Sequence, residues 1–392
     1  MQPCSVDGAS WAPCNCSGAG GAGGGAGGFN GVGGGGVAGA GATCTPVPAV
    51  PTGTRAAAFQ LDAAHSGAQP AEHIGIPLCE RWSVPFGGNV VAGDGLVWVV
   101  DGDIRALDAA TGAVVWGPLG GPSSLAYDGG RLYSLEWLGA LRAMDGATGT
   151  VLWTSTVGDE TFGSPVVRGG RVVAVGIDGG STAQVYARAY DTKTGALAWS
   201  NNVPFGAQSP ALGAAMAYIS SGCGTSSAFD LGGGAPVWQH SGPCPGGVMI
   251  TPSLLTDGLY VYGLGATALV LDALTGAVKG PFAASRAPAG AGDQGFFVNG
   301  SLLQRIPLAH QLPTWTLDAG ETIAMPPLVL GSLVFTVTAS GLVYAVDTAS
   351  GLVVSSANVG ESITTKTTLG ELGLAAADGR LFVSTKSRLV AY

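Results

Sequence analysis

One eleven-residue pattern, Ala-x-Asp-x-x-Thr-Gly-x-x-x-Trp, returns along this chain and limits what it can fold into. It appears as Ala106, Asp108, Thr111, Gly112 and Trp116, then as Ala143, Asp145, Thr148, Gly149 and Trp153, then as Ala189, Asp191, Thr194, Gly195 and Trp199. A fourth copy keeps Ala228, Asp230, Gly234 and Trp238, with Gly233 in the Thr place. The fifth keeps Asp272, Thr275 and Gly276 but has Gly280 where the Trp belongs. Of the sixth only Trp315 survives, and the seventh keeps Ala345, Asp347 and Gly351 with Ser350 for Thr and Ser355 for Trp. Successive tryptophans lie roughly 40 residues apart, the period of a four-stranded propeller blade.

The interior of each unit agrees with that period. Four short runs rich in Val, Leu, Ala, Tyr and Phe are broken by turn residues, as strands of one small antiparallel sheet require. In the second unit the runs are SLAY, RLYSLEW, ALRAMD and TVLWTST. Asp-Gly turns at Asp94-Gly95, Asp257-Gly258 and Asp378-Gly379, and Asp128-Gly129-Gly130, suit tight hairpins. The motif has its own chemistry. Its Asp can accept bonds from backbone N–H groups two or three residues on, its Gly suits positive φ, and its Trp offers a flat ring to the neighbouring blade. These residues therefore predict structure rather than catalysis.

The ends of the repeat region predict how the ring closes. The last unit, AAADGRLFVSTKSRLVAY, supplies three strands and stops at Tyr392. The fourth is expected upstream in LCERWSVPFG, with Trp82 in the motif position, so that residues 79–86 pair with the C-terminal strands. Seven whole units and this shared one predict an all-β fold, an eight-bladed β-propeller of four-stranded antiparallel blades without free sheet edges.

Ahead of it, residues 18–42 are almost wholly Gly and Ala, too poor in apolar surface to fold alone, and read as a tether. The expected division is 1–54 as a Cys-containing, Gly/Ala-rich spacer and 55–392 as the propeller. A net charge of −9 argues against nucleic acid, which needs a basic face. No apolar run reaches the 18 or so residues of a membrane helix, and no signal peptide is visible after Met1. The seven cysteines point to an oxidising compartment. Cys223 and Cys244 are expected at one rim of the fourth blade and form a candidate disulfide. The pairing of Cys4, Cys14, Cys16, Cys44 and Cys79 stays open, as does lipidation at Cys4.

The repetition of Asp108, Gly112 and Trp116 through Asp347 and Gly351 resembles the PQQ-like repeat family, which includes outer-membrane assembly lipoproteins of the BamB type and quinoprotein alcohol dehydrogenases. FQLDAAHSG, from Phe59 to Gly67, resembles a lead-in found before such propellers. The resemblance implies an extracytoplasmic protein, periplasmic, outer-membrane-tethered or secreted. It also raises the question of a quinone (PQQ) with calcium. The dehydrogenases carry a disulfide between adjacent cysteines, an Asp base, and Asn, Glu and Asp calcium ligands. This chain has no adjacent Cys-Cys pair, so no cofactor is expected, with PQQ and calcium as the alternative.

Other catalytic patterns fail. His65 and His73 precede the propeller, His240 and His310 fall in different blades without an obvious Asp or Ser partner, and neither G-x-S-x-G nor HExxH occurs. Asp101, Asp103, Asp159 and Glu160 read as turn carboxylates without the spacing of a calcium loop. Trp98 and Trp137 stand outside the motif and read as core or rim residues. The expectation is a monomeric, non-catalytic scaffold that binds a protein or envelope component through a propeller rim. A quinone-dependent dehydrogenase and a carbohydrate-binding propeller are the alternatives. The worn fifth and sixth units, with the stretch AASRAPAGAGDQG, are the expected partner surface.

Overall fold

A computed structural model describes residues 4–5, 11–12, 44–161, 163–179, 183–221, 224–242, 251–261, 268–309, 312–363 and 373–392. The chain divides into two units, Met1–Gly35 and Gly36–Tyr392. In the first, the described strands Cys4–Ser5 and Trp11–Ala12 pair antiparallel. The second is the propeller.

Eight sheets make up the ring. Blade 1 runs Asn89–Gly93, Leu96–Asp101, Asp103–Asp108 and Val114–Gly120. Blades 2 to 7 repeat that order, starting from Pro122–Asp128, Val166–Arg168, Ala211–Leu212, Ser253–Leu255, Ala289–Ala291 and Leu328–Leu330. Blade 8 contains Leu374–Ala377, Arg380–Ser384 and Leu389–Ala391. Its fourth strand is Trp82–Val84, with Ala391 opposite Trp82 and Leu389 opposite Val84. The first strand of each blade lies innermost, where both faces meet protein, and reads as unbroken apolar residues such as Val90–Ala92 and Leu374–Ala377. The fourth strand is outermost and alternates with solvent.

The Asp-Gly hairpins form as their residue types dictate. Asp94 and Gly95 take φ of +52° and +79°, and Asp378 and Gly379 take +52° and +74°, the doubly left-handed turn that matches strand twist. Blade 5 departs from this. Leu255 faces Gly258, so Thr256 and Asp257 form the turn and Gly258 opens the next strand.

The lead-in does more than precede the first strand. Ala56 exchanges two backbone bonds with Ala92 in blade 1. Ala57 O then accepts from Tyr127 N in blade 2, Ala63 O from Leu212 N in blade 4, and Ala64 O from Leu254 N in blade 5. Ser66 O accepts from Gly290 N in blade 6, and Ala68–Gln69 adds a parallel strand to blade 7. Residues 56–69 thus wind past the inner strands and close one mouth of the ring, burying Phe59, Leu61 and His65. The segment before it is anchored too. Thr52 N and Gly53 N donate to Asp378 Oδ1, and the buried Glu72 carboxylate accepts from Thr52 Oγ1, Thr54 Oγ1, His73 N and Gly379 N. The propeller body therefore holds chain on both sides of residue 54.

A candidate binding cleft at an unlocked blade junction

The motif residues work as inter-blade locks. Within the turn, Asp108 Oδ1 accepts from Thr111 N and Thr111 Oγ1, both at 2.8 Å, and from Ala110 N at 3.1 Å, while Gly112 N donates back to Asp108 O. The same set recurs around Asp191, Asp272 and Asp347. The Thr111 bonds, its hydroxyl first, hold the Asp108 carboxyl below the ordinary carboxylate range. Asp191, Asp272 and Asp347 are lowered by the corresponding bonds from Thr194, Thr275 and Ser350.

The turn is shaped this way to carry the tryptophan of the preceding blade. Gly112, Gly149, Gly195, Gly234, Gly276 and Gly351 all have φ between +72° and +76°. Each lies directly under an indole: Trp82, Trp116, Trp153, Trp199, Trp238 and Trp315 in turn. The same indole N–H donates to a carbonyl of the turn it covers. Trp82 Nε1 reaches Ala109 O at 3.1 Å, Trp116 reaches Gly146 O at 2.9 Å, and Trp153 reaches Thr192 O at 3.1 Å. Trp199 bonds Leu231 O, Trp238 bonds Ala273 O and Trp315 bonds Thr348 O. Six of the eight junctions are locked in this way, including blade 8 onto blade 1 through Trp82.

The remaining two junctions differ. Between blades 7 and 8, Ser355 replaces the indole and its Oγ accepts from Leu78 N at 2.8 Å, so the upstream chain at the buried Leu78 is bonded to that outer strand. Between blades 5 and 6, Gly280 supplies no ring, and blade 6 has neither the Asp nor the Thr-Gly of the turn. A cleft of about 820 Å³ opens there, within the range of roughly 300–1,000 Å³ typical of ligand sites. Tyr260, Phe282, Phe297, Ile306 and Leu308 form its apolar wall, and Asp257, Lys279, Asp293 and Gln304 stand around it. The aromatic rings contact one another, with Tyr260 edge-on to Phe282 at 5.0 Å between centroids and Phe297 5.9 Å from Phe282. Burial, and then the Asp257 carboxylate, push the Tyr260 hydroxyl well above its ordinary range, so it stays protonated and donates to Asp257 Oδ2 at 3.2 Å. The other carboxylate oxygen, Oδ1, is buried without a hydrogen-bond partner among the described residues.

Two overlapping matches to the family described as "Outer membrane protein assembly factor BamB" cover residues 100–304 and 183–392. This chain belongs to that family. No curated protein matches its sequence. Among solved structures it is similar to BamB from Moraxella catarrhalis, with a TM-score of 0.62 at 18% identity over 80% of this chain and 96% of that one. It is also similar to the quinohemoprotein alcohol dehydrogenase from Comamonas testosteroni, with a TM-score of 0.65 at 14% identity over 87% and 81%. The computationally designed protein Ika8 gives 0.67 at 14% identity over 80% and 98%. At these identities the likeness is one of fold, shared alike by a BamB, an oxidoreductase and a design.

The other residues singled out from sequence are dispersed within this family fold. Cys223, Cys244 and His310 lie outside the described residues, as do Cys14, Cys16 and the Gly/Ala tract. Cys44 pairs with Cys79, with Cα atoms 5.6 Å apart. Asp159 Oδ2 accepts from Gly179 N, and Asp103 pairs with Arg105 at 3.5 Å. Trp98 is fully buried, stacked on Tyr127 at 4.4 Å and bonded to the same Gly146 O that Trp116 uses. His65 is buried in the lead-in with Nδ1 3.0 Å from Pro252 O. Desolvation holds it below its usual range and therefore neutral. Among the described residues, no three His, Cys, Asp or Glu side chains converge as metal ligands would. No described helix is long and apolar enough to cross a membrane.

The stretch AASRAPAGAGDQG is only partly the free loop its composition suggests. Ala289–Ala291 is the inner strand of blade 6, Ala287 is fully buried, and Ser285 N donates to Val298 O. Its two ends, at Ala283 and at Gly292–Asp293, reach the cleft.

Proposed function

We propose that this chain is a non-catalytic, extracytoplasmic scaffold that binds a protein partner through the propeller rim carrying the cleft between blades 5 and 6. The cleft carries the reading. It is apolar and aromatic at its base, polar at its edge, and set among turns of a rigid ring, as recognition sites commonly are. The matching family is described as an outer membrane protein assembly factor, and the proposal brings to this chain a role at an envelope assembly.

The quinone alternative has less behind it. The motif tryptophans are spent on inter-blade locks, and Cys44 bridges to Cys79 rather than to an adjacent cysteine. Residues 56–69 take up one mouth of the ring. These residues do not fit a quinone with calcium.

Photocrosslinking in cells tests the reading. A crosslinking amino acid at the exposed Ala309, on the cleft rim, is expected to capture an envelope protein. The same group at Leu138, on a turn at the opposite ends of the strands, is not. Dye reduction with an alcohol after loading the purified protein with PQQ and calcium would overturn it, as would equal capture at both positions.

A further inference from the structure

We propose, resting on that scaffold reading, that the cleft between blades 5 and 6 receives an aromatic side chain, tryptophan foremost, from an extended segment of the partner. The molecule itself shows what this place is built to hold. At six junctions the corresponding place is filled by an indole lying on a turn of the next blade, with its N–H on a main-chain carbonyl. At the junction of blades 7 and 8 the upstream chain is bonded to the ring-less position, through Leu78 N on Ser355 Oγ. At the junction of blades 5 and 6 both halves of the lock are missing; Phe282 takes up the contact with the second-strand aromatic, Tyr260, that the indoles make elsewhere, and a cleft of about 820 Å³ lies beside it.

The lining is what an incoming ring requires. Phe282 stands two residues beyond Gly280, just past the end of the outer strand Val278–Pro281, and is only half-buried. Tyr260 and Phe297 behind it are almost fully buried, at 3% exposure each. A ring entering beside Phe282 meets edges and faces in the offset arrangements that aromatic groups favour, at centroid separations of roughly 4.5–7 Å. An aliphatic side chain gains no such geometry. The cleft wall also holds an acceptor short of one donor, Asp257 Oδ1. Asp257 lines the cleft, so its carboxylate is the acceptor that an incoming indole N–H meets there. Tryptophan is therefore favoured over phenylalanine.

The test uses the full chain and fluorescein-labelled pentapeptides, Gly-Ser-Xaa-Ser-Gly, with Xaa as Trp, Phe or Leu, read by fluorescence anisotropy. The Trp peptide is expected to bind at least five-fold more tightly than the Leu peptide, with Phe between them. Gly280→Trp supplies the missing ring from within and is expected to weaken Trp-peptide binding at least ten-fold while the melting temperature holds or rises. Ile306→Asp, on the cleft wall, is the second variant and is expected to weaken binding by a similar factor if Gly280→Trp does not fold. Equal binding of Trp and Leu peptides, or undiminished binding to a folded Gly280→Trp or Ile306→Asp protein, would overturn the inference. The crosslinking experiment is read independently. Crosslinks at Ala309 without peptide selectivity would leave the scaffold reading standing and remove only the aromatic occupant.

Discussion

The indole of Trp116 lies on Gly149 so closely that a Cβ at that glycine would stand 2.9 Å from the ring. The tryptophan belongs to blade 1 and the glycine to blade 2. The contact therefore turns a local motif into a junction between blades. It also explains why the motif needs glycine twice over, once for a φ of +72° and once for space.

That double requirement can be separated by measurement. Gly149→Ala is expected to lower stability by about 2–4 kcal/mol, combining left-handed backbone strain with overpacking against the indole. Gly95→Ala, at φ +79° with nothing within 4 Å of the added carbon, is expected to lose only the backbone part, about 1–2 kcal/mol. Urea unfolding of both variants checks this. Equal losses would show that the indole gives way and that the close approach is not a constraint.

The tryptophan side of the lock has two components as well. Trp199 is 6% exposed and donates to Leu231 O at 3.0 Å. Trp199→Ala is expected to lose about 3–5 kcal/mol, the range for removing a large buried ring. Trp199→Phe keeps most of the ring contact but leaves the carbonyl without its donor, a loss of about 1–3 kcal/mol. Chemical denaturation of both variants gives the ratio. A Phe variant as stable as the parent would mean that water takes over the carbonyl.

How much of this was legible beforehand depended on whether a feature repeated. The blade count, Trp82 as the motif tryptophan of the shared blade, and the positive φ of Gly112 through Gly351 follow from a pattern written several times. Gly280 and the worn sixth unit marked the junction of blades 5 and 6 as different for the same reason. The path of residues 56–69 left no such trace, because it is held by backbone groups of Ala57, Ala63, Ala64 and Ser66, and any residue type carries those. The Cys44–Cys79 pair was equally hidden, since its partners meet only once the upstream chain is laid against the ring. Ala287 and Ala289 look like loop residues by composition, yet they are buried because small side chains are what the narrow inner edge of blade 6 accepts.

His65 gives the fold a pH dependence with a defined sign. It is fully buried and held neutral by desolvation, so its folded pKa lies below the unfolded value of about 6.5. Above that value both states are neutral and the residue costs nothing. As pH falls below about 6.5 the unfolded chain takes up a proton that the folded chain refuses, so stability declines until pH reaches the folded pKa. The urea midpoint is therefore expected to drop between pH 7.5 and 5.5. His65→Asn should flatten that part of the profile, because Asn tolerates the φ of +55° found here and does not titrate. An unchanged slope in the variant would assign the dependence to other groups.

The covalent link between Cys44 and Cys79 makes the last case, because it ties the chain ahead of the lead-in to the residues just before Trp82. The bridge spans a separation of 35 residues, and in the chain-entropy account closing a loop of that length stabilises the fold by about 4 kcal/mol. The chain between the two cysteines contains the Thr52, Glu72 and residue 56–69 contacts. Loss of the bridge should therefore loosen the closed mouth of the ring before the blades separate. Cys44→Ser with Cys79→Ser is expected to lower stability by an amount approaching that value. It should also speed amide exchange at Leu212 and Leu254, whose N–H groups bond the lead-in carbonyls of Ala63 and Ala64, more than at Val99 or Val173 in the blade interiors. Uniform acceleration across all four positions would mean that the lead-in and the blades open together.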